Sequence, residues 1–318
     1  MFERILVPLD GSPRAELALP VAARIAHASG SSIHLLQVFS LVANYDGGLA
    51  PVSFVTEESV EMELAQAKDY LRTIASSKLA GIKTTTEVVF GFPAQYILTA
   101  AAAQETNLIV MCSHGRTGFA RWALGSVAHT LAHESTVPTL ILRESDSTSL
   151  LSGADICALV PLDGSELSEA ALIPAAHLVT ALAAPARGAL HLAQIAMPVP
   201  TEEGFVSEIN EETLLPIRTY LTLVAERVQA TVKDSQLALT FSVELEKDIA
   251  SALAHLAEHG DMREKVGFIG SCDLIVISTH GRGGLERWTM GSVTDRLLTS
   301  TKLPMLIVRA VTKRRESI

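Results

Sequence analysis

The chain has 318 residues, 48% of them hydrophobic and 19% charged, with a formal net charge of −10. That apolar content is ample for packed cores and excludes global disorder, and the length suits two ordinary domains better than one. The negative balance excludes a non-specific nucleic-acid binder, which needs clustered cations. The one basic cluster, Lys313-Arg314-Arg315, reads as part of a solvated tail over 311–318. The opening Phe2-Glu-Arg-Ile-Leu-Val lacks the layout of a secretory signal, and the Ala-rich stretches carry His, Arg or Glu, so no membrane span is expected. Cys112, Cys157 and Cys272 are odd in number and widely spaced. They fit neither a disulfide framework nor a Cys-x2-Cys metal site, and a reduced cytoplasm is the expected location.

In chain order, 4–9 is an apolar run closed by Asp10-Gly11-Ser12, a strand followed by a turn. Ser12-Pro13 supplies a capping hydroxyl and a first-turn proline for a helix with Leu17, Val21 and Ile25 at i, i+4 spacing. Pro20 is expected to kink that helix and Gly30 to end it. A second strand over 33–39 leads into a loop over 40–56 and a charged amphipathic helix over 57–79. A third strand spans 84–90, Gly91-Phe-Pro93 leads a helix through Ala103, and 107–111 is the fourth strand. Then comes Met111-Cys-Ser-His-Gly-Arg-Thr-Gly-Phe-Ala-Arg-Trp-Ala-Leu-Gly-Ser126, with helix expected over 122–133 and a last strand over 137–142.

The pattern then repeats. Leu6-Val-Pro-Leu-Asp-Gly-Ser12 recurs as Leu159-Val-Pro-Leu-Asp-Gly-Ser165 at an offset of 153, and the glycine loop recurs from Gly115 to Gly281 at an offset of 166. In both loops His-Gly-Arg-x-Gly is followed by six residues and Gly-Ser. The second copy is thus 13 residues longer between its motifs, with the additions expected in the loops at 197–207 and 260–270. Its strands are expected at 156–162, 190–196, 239–245, 274–277 and 303–308, and its helices at 166–183, 208–232, 248–259 and 288–300. A polar, Ser-rich stretch separates the copies, dividing the chain into domains over 1–144 and 154–310 with a linker over 145–153. Five strands alternating with four helices in each copy predict an α/β protein. It has two tandem doubly wound domains, each an open five-stranded parallel sheet with helices on both faces.

Each glycine loop leaves a strand and enters a helix, a common cradle for phosphate. Glycine lets backbone N–H groups approach the anion, and the helix N-terminus adds about half a positive charge. Ligands of an open α/β sheet bind beyond the carboxyl ends of the strands, where strand order reverses. The first and fourth strands end in the two repeated motifs, so one ligand could touch both. Gly115, Gly118, Gly125 and the Ser126 hydroxyl would face phosphates, with Arg116 or Arg121 for charge. Asp10 and Asp163 could accept a ribose hydroxyl or bind Mg²⁺ beside the phosphates; the competing reading is an Asx turn.

The pair Pro-x-Asp-Gly-Ser and Ser/Thr-His-Gly-x9-Gly-Ser resembles the ATP-binding branch of the universal stress protein family, over nearly the whole chain as two tandem domains. The resemblance implies strand order 3-2-1-4-5 in each domain. It also implies dimer-type pairing of the last strands, here Thr139–Leu142 against Met305–Val308. It places Pro8, Leu9 and Asp10 along the nucleoside, Val38 against adenine, and Gly115, Arg116, Gly125, Ser126 and Val127 at the phosphates. In the second copy the matching positions are Pro161, Leu162, Asp163, Ile195, Gly281, Arg282, Gly291, Ser292 and Val293. Met111 and Ile277, which open the loops, complete the predicted sets with Gly118 and Gly284. Two departures from the family pattern stand out. Its first phosphate-loop glycine is Cys112 here and Ser278 in the second copy. Its Gly-x-Pro after the third strand becomes Glu246-Lys-Asp248, whose carboxylates would repel phosphate and rank the first site above the second.

Other residues have plainer readings. His114 and His280 structure their loops, since no Ser-His-Asp arrangement surrounds them; Trp122 and Trp288 pack; Cys112 is a small buried residue rather than a redox sensor. The pairs His129/His133 and His255/His259 stand at i+4 spacing, but no third ligand or Glu-x-x-His pattern accompanies them, which argues against a metal site. The expectation is a cytoplasmic sensor or adaptor that binds ATP with Mg²⁺. It would be no enzyme beyond at most a slow ATPase, since no Walker A lysine, GxGxxG or water-activating base is present. It would pair its own two domains, with a homodimer of tandem chains and an unidentified signalling partner as further associations. The alternative is a dimerisation or scaffold module whose pockets do not hold nucleotide. An enzyme of the related α-hydrolase fold would need a Ser-Gly-Gly-x-Asp-Ser loop, which the chain lacks.

Overall fold

A computed structural model of the chain describes residues 2–39, 57–114, 124–143, 149–152, 154–198, 200–201, 204–205, 211–232, 237–260, 270–279 and 290–310. In the first half, β1 (Arg4–Leu9), β2 (Ser32–Phe39), β3 (Thr84–Phe90), β4 (Leu108–Cys112) and β5 (Thr139–Leu142) alternate with α1 (Ala18–Ser29), α2 (Glu57–Lys78), α3 (Pro93–Ala103) and α4 (Ser126–Glu134). The second half continues with β6 (Ile156–Pro161), α5 (Glu166–Glu169), α6 (Leu172–Ala183), β7 (Gly188–Ala196) and a small hairpin, β8 (Pro200–Thr201) with β9 (Gly204–Phe205). It ends with α7 (Glu211–Thr231), β10 (Leu237–Leu245), α8 (Ile249–His259), β11 (Leu274–Ser278), α9 (Ser292–Ser300) and β12 (Met305–Val308). No helix among the described residues is long and apolar enough to cross a membrane.

Ten strands form a single sheet in the order β10-β7-β6-β11-β12-β5-β4-β1-β2-β3. Each half has the expected 3-2-1-4-5 order, and neighbours within a half run parallel. The halves join where β5 and β12 pair antiparallel, Leu140 opposite Leu306 and Ile141 opposite Met305. Strands buried on both faces need apolar residues at successive positions, which is why the inner β4, β5, β11 and β12 do not alternate with polar residues, while the edge strands β3 and β10 include them. Leu140, Leu142, Leu306 and Val308 enter a core shared by α1, α2, α6 and α7. Ile141, Met305 and Ile307 enter the opposite core, shared by α3, α4, α8 and α9. Both cores run through both halves. Leu150, in the stretch between the copies, is fully buried in the first of them.

Two arginines at matching positions cross the seam. Arg143 donates to the carbonyl of Leu298 near the end of α9, and Arg309 Nη1 donates to those of Glu134 and His133 at the end of α4, at 3.1 and 3.5 Å. Each supplies charge and donors where a helix leaves carbonyls without intrahelical partners. Burial pushes the Arg143 guanidinium below its usual range.

The helix starts differ from expectation. Pro20 does not kink α1: a 3-10 turn over Ala15–Leu17 comes first, and Pro20 is the third residue of the helix. The predicted helix over 166–183 likewise splits into α5 and α6, with Pro174 third in α6. A proline ring clashes with the carbonyl four residues back, whereas in a first turn its missing N–H is one that has no partner anyway. The chain therefore breaks before each proline instead of bending at it. Gly30 ends α1 as expected, in a left-handed conformation (φ 69°). α4 and α9 begin at Ser126 and Ser292, after the extended Gly125 and Gly291, and the expected helix starts at 122 and 288 lie outside the described residues.

Candidate functional site

In each half, strand order reverses between the first and fourth strands, β1 beside β4 and β6 beside β11. The first strand of each pair runs into an Asp-Gly-Ser turn. Ser12 N donates to Asp10 Oδ1 at 2.9 Å and Ala15 N to Ser12 Oγ at 3.2 Å. In the second half Ser165 N and Oγ donate to Asp163 Oδ1 at 3.0 and 2.6 Å, and Ser168 N to Ser165 Oγ at 3.2 Å. The middle residue needs positive φ, 80° at Gly11 and 82° at Gly164, which only glycine adopts without steric cost. Both aspartates thus make the Asx turn, and that turn sets the direction of each carboxylate beside the crevice.

The fourth strand of each pair is met by the glycine that precedes the next helix. Gly125 N donates to Ser113 O at 2.8 Å, and Gly291 N to Thr279 O at 2.7 Å. A Cβ on Gly125 would lie 2.7 Å from Ser113 O, closer than real contacts allow; on Gly291 it would lie 3.1 Å from Thr279 O. These bonds draw the start of α4 or α9 against the strand end, and each N-cap residue is a glycine with no capping side chain of its own. Ser126 and Ser292 are exposed at those N-termini. The Cys112 thiol reaches Ala15 O at 3.9 Å, tying the end of β4 to the turn after β1.

Pro8, Asp10 and Val38 thus lie at the carboxyl ends of β1 and β2, on the same edge of the sheet as Gly125, Ser126 and Val127 at the start of α4. Val38 and Val127 pack, half-buried, over the core that contains Met111. Ile195, Ile277 and Val293 repeat this on the same face of the second half, beside Pro161, Asp163, Gly291 and Ser292. Leu9, Met111, Leu162 and Ile277 are buried, so their side chains serve the cores. Gly115, Arg116 and Gly118, and Gly281, Arg282 and Gly284, lie outside the described residues, as do Arg121, Trp122, His280 and Trp288. Ser113 Oγ and His114 Nδ1 lie 3.1 Å apart, and the loop that His114 was expected to structure lies outside the described residues.

Asp248 has a role the sequence did not show. It caps α8, accepting from Ser251 N at 3.3 Å and Ser251 Oγ at 3.0 Å, and pairs with Arg296 of α9 at 2.6 Å. Its negative charge is matched where repulsion of phosphate had been expected. Hydrogen bonds from Arg296 and Ser251 bring its carboxyl down from the ordinary 3.8 to about 2. What the cap and pair contribute is in place above the ordinary value and is lost as pH falls through the lowered one. Arg296→Gln should move the Asp248 carboxyl back up toward 3.8, read by a carboxyl-carbon NMR titration. An unmoved value would show that Ser251 alone sets it.

Sequence reading also missed a repeated clamp behind the Asp-Gly-Ser turn. Tyr70 of α2 donates to Glu16 Oε1 at 3.0 Å, and Lys78 pairs with the same carboxylate. In the second half Tyr220 of α7 donates to Glu169 Oε1 at 3.0 Å, and Arg227 pairs with Glu169 at 2.7 Å. Burial, then the bond to the glutamate, pushes both phenols up. The available signal was Asp-Gly-Ser-x3-Glu in both copies. Cys157 and Cys272, far apart in sequence, come within 3.4 Å at the amino ends of β6 and β11. Contact with Cys157, then burial, pushes the Cys272 thiol up.

The profile of the Universal stress protein family matches residues 1–143 and 158–309. A universal stress protein of Mycolicibacterium smegmatis is 24% identical over 311 residues, 96% of each chain. Universal stress protein YxiE of Bacillus subtilis is 30% identical over 148 residues, 45% of this chain and 100% of YxiE. The crystal structure of a universal stress protein from Archaeoglobus fulgidus aligns at 20% identity with a TM-score of 0.67, covering 97% of this chain and 98% of that one. The family profile, the Mycolicibacterium smegmatis relative and the Archaeoglobus fulgidus structure run through both halves, whereas YxiE matches the length of one. The chain belongs to the universal stress protein family, and it holds two tandem copies of the family's domain.

Proposed function

We propose that the first half of the chain binds ATP with Mg²⁺ in the crevice beyond β1 and β4, and that the chain works as a cytoplasmic stress sensor or adaptor with little or no turnover. One juxtaposition carries this reading. The Asp10 turn and the start of α4, far apart in sequence, stand together at the switch in strand order, with the glycine before α4 offering no capping side chain. Backbone N–H groups and the positive helix end suit phosphate, the exposed Ser126 hydroxyl adds a donor, and half-buried Val38 and Val127 offer an apolar wall for a base. The Asp10 carboxylate suits a ribose hydroxyl or the Mg²⁺ that accompanies the phosphates. The equivalent crevice beyond β6 and β11 has the same turn and the same glycine before its helix, and is the second candidate.

The test is thermal unfolding with and without Mg-ATP, on the wild type and on Gly115→Glu and Gly281→Glu separately. A ligand at 100 times its dissociation constant stabilises by about 2.7 kcal/mol, a readily measured shift. A wild-type shift abolished only by Gly115→Glu is the expected result and places the working site in the first half. A wild type unmoved by both ATP and AMP overturns the nucleotide reading and leaves a scaffold built on the paired halves.

A further inference from the structure

The fold supplies a third group to one of the two helical histidine pairs. His129 and His133 lie on one face of α4, their rings stacked with centroids 4.3 Å apart. Across the seam α9 presents Asp295, the residue that matches His129 at the 166-residue offset. His133 Nε2 lies 3.5 Å from Asp295 Oδ1. One ligand atom from each of the three residues lies within 4.8 Å of the others. His133 Nε2 is buried and makes no hydrogen bond among the described residues. The absence of a third ligand read from the sequence is thereby corrected: it comes from the other half of the chain, through the pairing of β5 with β12.

Ligand spacing separates a chelate from a loose ion pair. Tetrahedral zinc with nitrogen and oxygen ligands at about 2.0–2.1 Å sets them about 3.3–3.4 Å apart. The His133–Asp295 separation already matches one edge of such a site, and the exposed His129 ring can close the rest by side-chain rotation. We propose that His129, His133 and Asp295 form an interdomain site for a divalent transition-metal ion of the zinc or cobalt class, with water in the open position. Two imidazoles and a carboxylate suit these ions better than Mg²⁺ or Ca²⁺, which prefer oxygen alone. The ion would clamp α4 to α9 at the seam. The site is independent of the nucleotide crevices and does not depend on their reading. The second pair, His255 and His259, also stacks, with centroids 4.6 Å apart, but gains no third ligand among the described residues, so it serves as an internal control.

The experiment uses untagged, metal-stripped full-length chain. Zn²⁺ is titrated against a chromophoric chelator, and Co²⁺ binding is followed by visible absorption. The wild type should take up one Zn²⁺ per chain and give the intense visible bands of low-coordinate Co²⁺ without a thiolate charge-transfer band. Asp295→Asn and His133→Ala should each weaken Zn²⁺ by at least the roughly 10–100-fold seen on losing a mere supporting group. The His255→Ala/His259→Ala variant should bind as the wild type does. Three outcomes overturn the site: no stoichiometric Zn²⁺ in the wild type, affinity retained in both ligand variants, or a thiolate band that moves the ion to Cys157 and Cys272. The cobalt spectrum needs no variant, so it decides even if a substitution disturbs folding.

Discussion

Leu140→Ala is expected to lower the stability of the whole chain by about 2–5 kcal/mol while leaving a single unfolding transition. Leu140 is fully buried in β5, and its register partner across the seam is Leu306 of β12, equally buried and in the same core. A truncation there removes apolar contact from both halves at once and opens a cavity that neither half can close alone. Leu306→Ala should cost a similar amount. The double variant should fall short of the sum, because the two side chains share one space. Scanning calorimetry with urea titration gives the measurement. Two resolved transitions, of which Leu140→Ala moves only one, would show that the halves fold as separate units despite the shared sheet.

The second large effect is expected at Gly125. A methyl group on Gly125 would meet Ser113 O at 2.7 Å, so Gly125→Ala must push the start of α4 off the end of β4 and lengthen the Gly125 N to Ser113 O bond. Overpacking of this kind costs about 1–3 kcal/mol. On the proposed nucleotide site its effect on ligand binding should be larger still, because the displaced backbone carries the N–H groups that the proposal assigns to phosphate. The Mg-ATP-dependent thermal shift should disappear in Gly125→Ala. In Gly291→Ala the added methyl would lie 3.1 Å from Thr279 O, a distance that small adjustments relieve, and the shift of the first half should survive. Isothermal titration on both variants separates lost binding from lost stability. Full ATP binding by Gly125→Ala would remove the first crevice as the working site.

Much of the fold was legible in the sequence because parallel strands buried on both faces announce themselves. Runs such as Leu108-Ile-Val and Leu274-Ile-Val have no polar alternation and end in glycine-containing loops. The repeat of Pro-Leu-Asp-Gly-Ser made the duplication plain, and the resemblance it carried implied the strand order and the pairing of the last strands that the sheet displays. Helix starts were less legible. Apolar spacing continues through Pro20 and Pro174, so pattern alone favours a bent helix, whereas the clash with the preceding turn makes the chain break first. Of the candidate site, the Asp-Gly-Ser turns and the glycines before α4 and α9 could be read locally, since each depends on a backbone angle or a close approach that few residues tolerate.

Other features depend on residues that local pattern cannot connect. Asp248 was read as a charge beside phosphate until its partner Arg296, 48 residues on, was brought to it. Glu16 carries no signal in residue order that Tyr70 and Lys78, far along the chain, close over it. Arg143 and Arg309 had no visible task, because the helix ends they serve belong to the other half. Asp295 joins His129 and His133 only because β5 and β12 meet antiparallel and turn α4 and α9 toward one another. Hydrophobic runs, glycines and repeated motifs are local, so strands, turns and the duplication followed from residue order alone. Which charges are matched, which helix ends are served and which side chains could share an ion were decided by the assembled sheet, because each rests on short-range contact between groups the chain holds far apart.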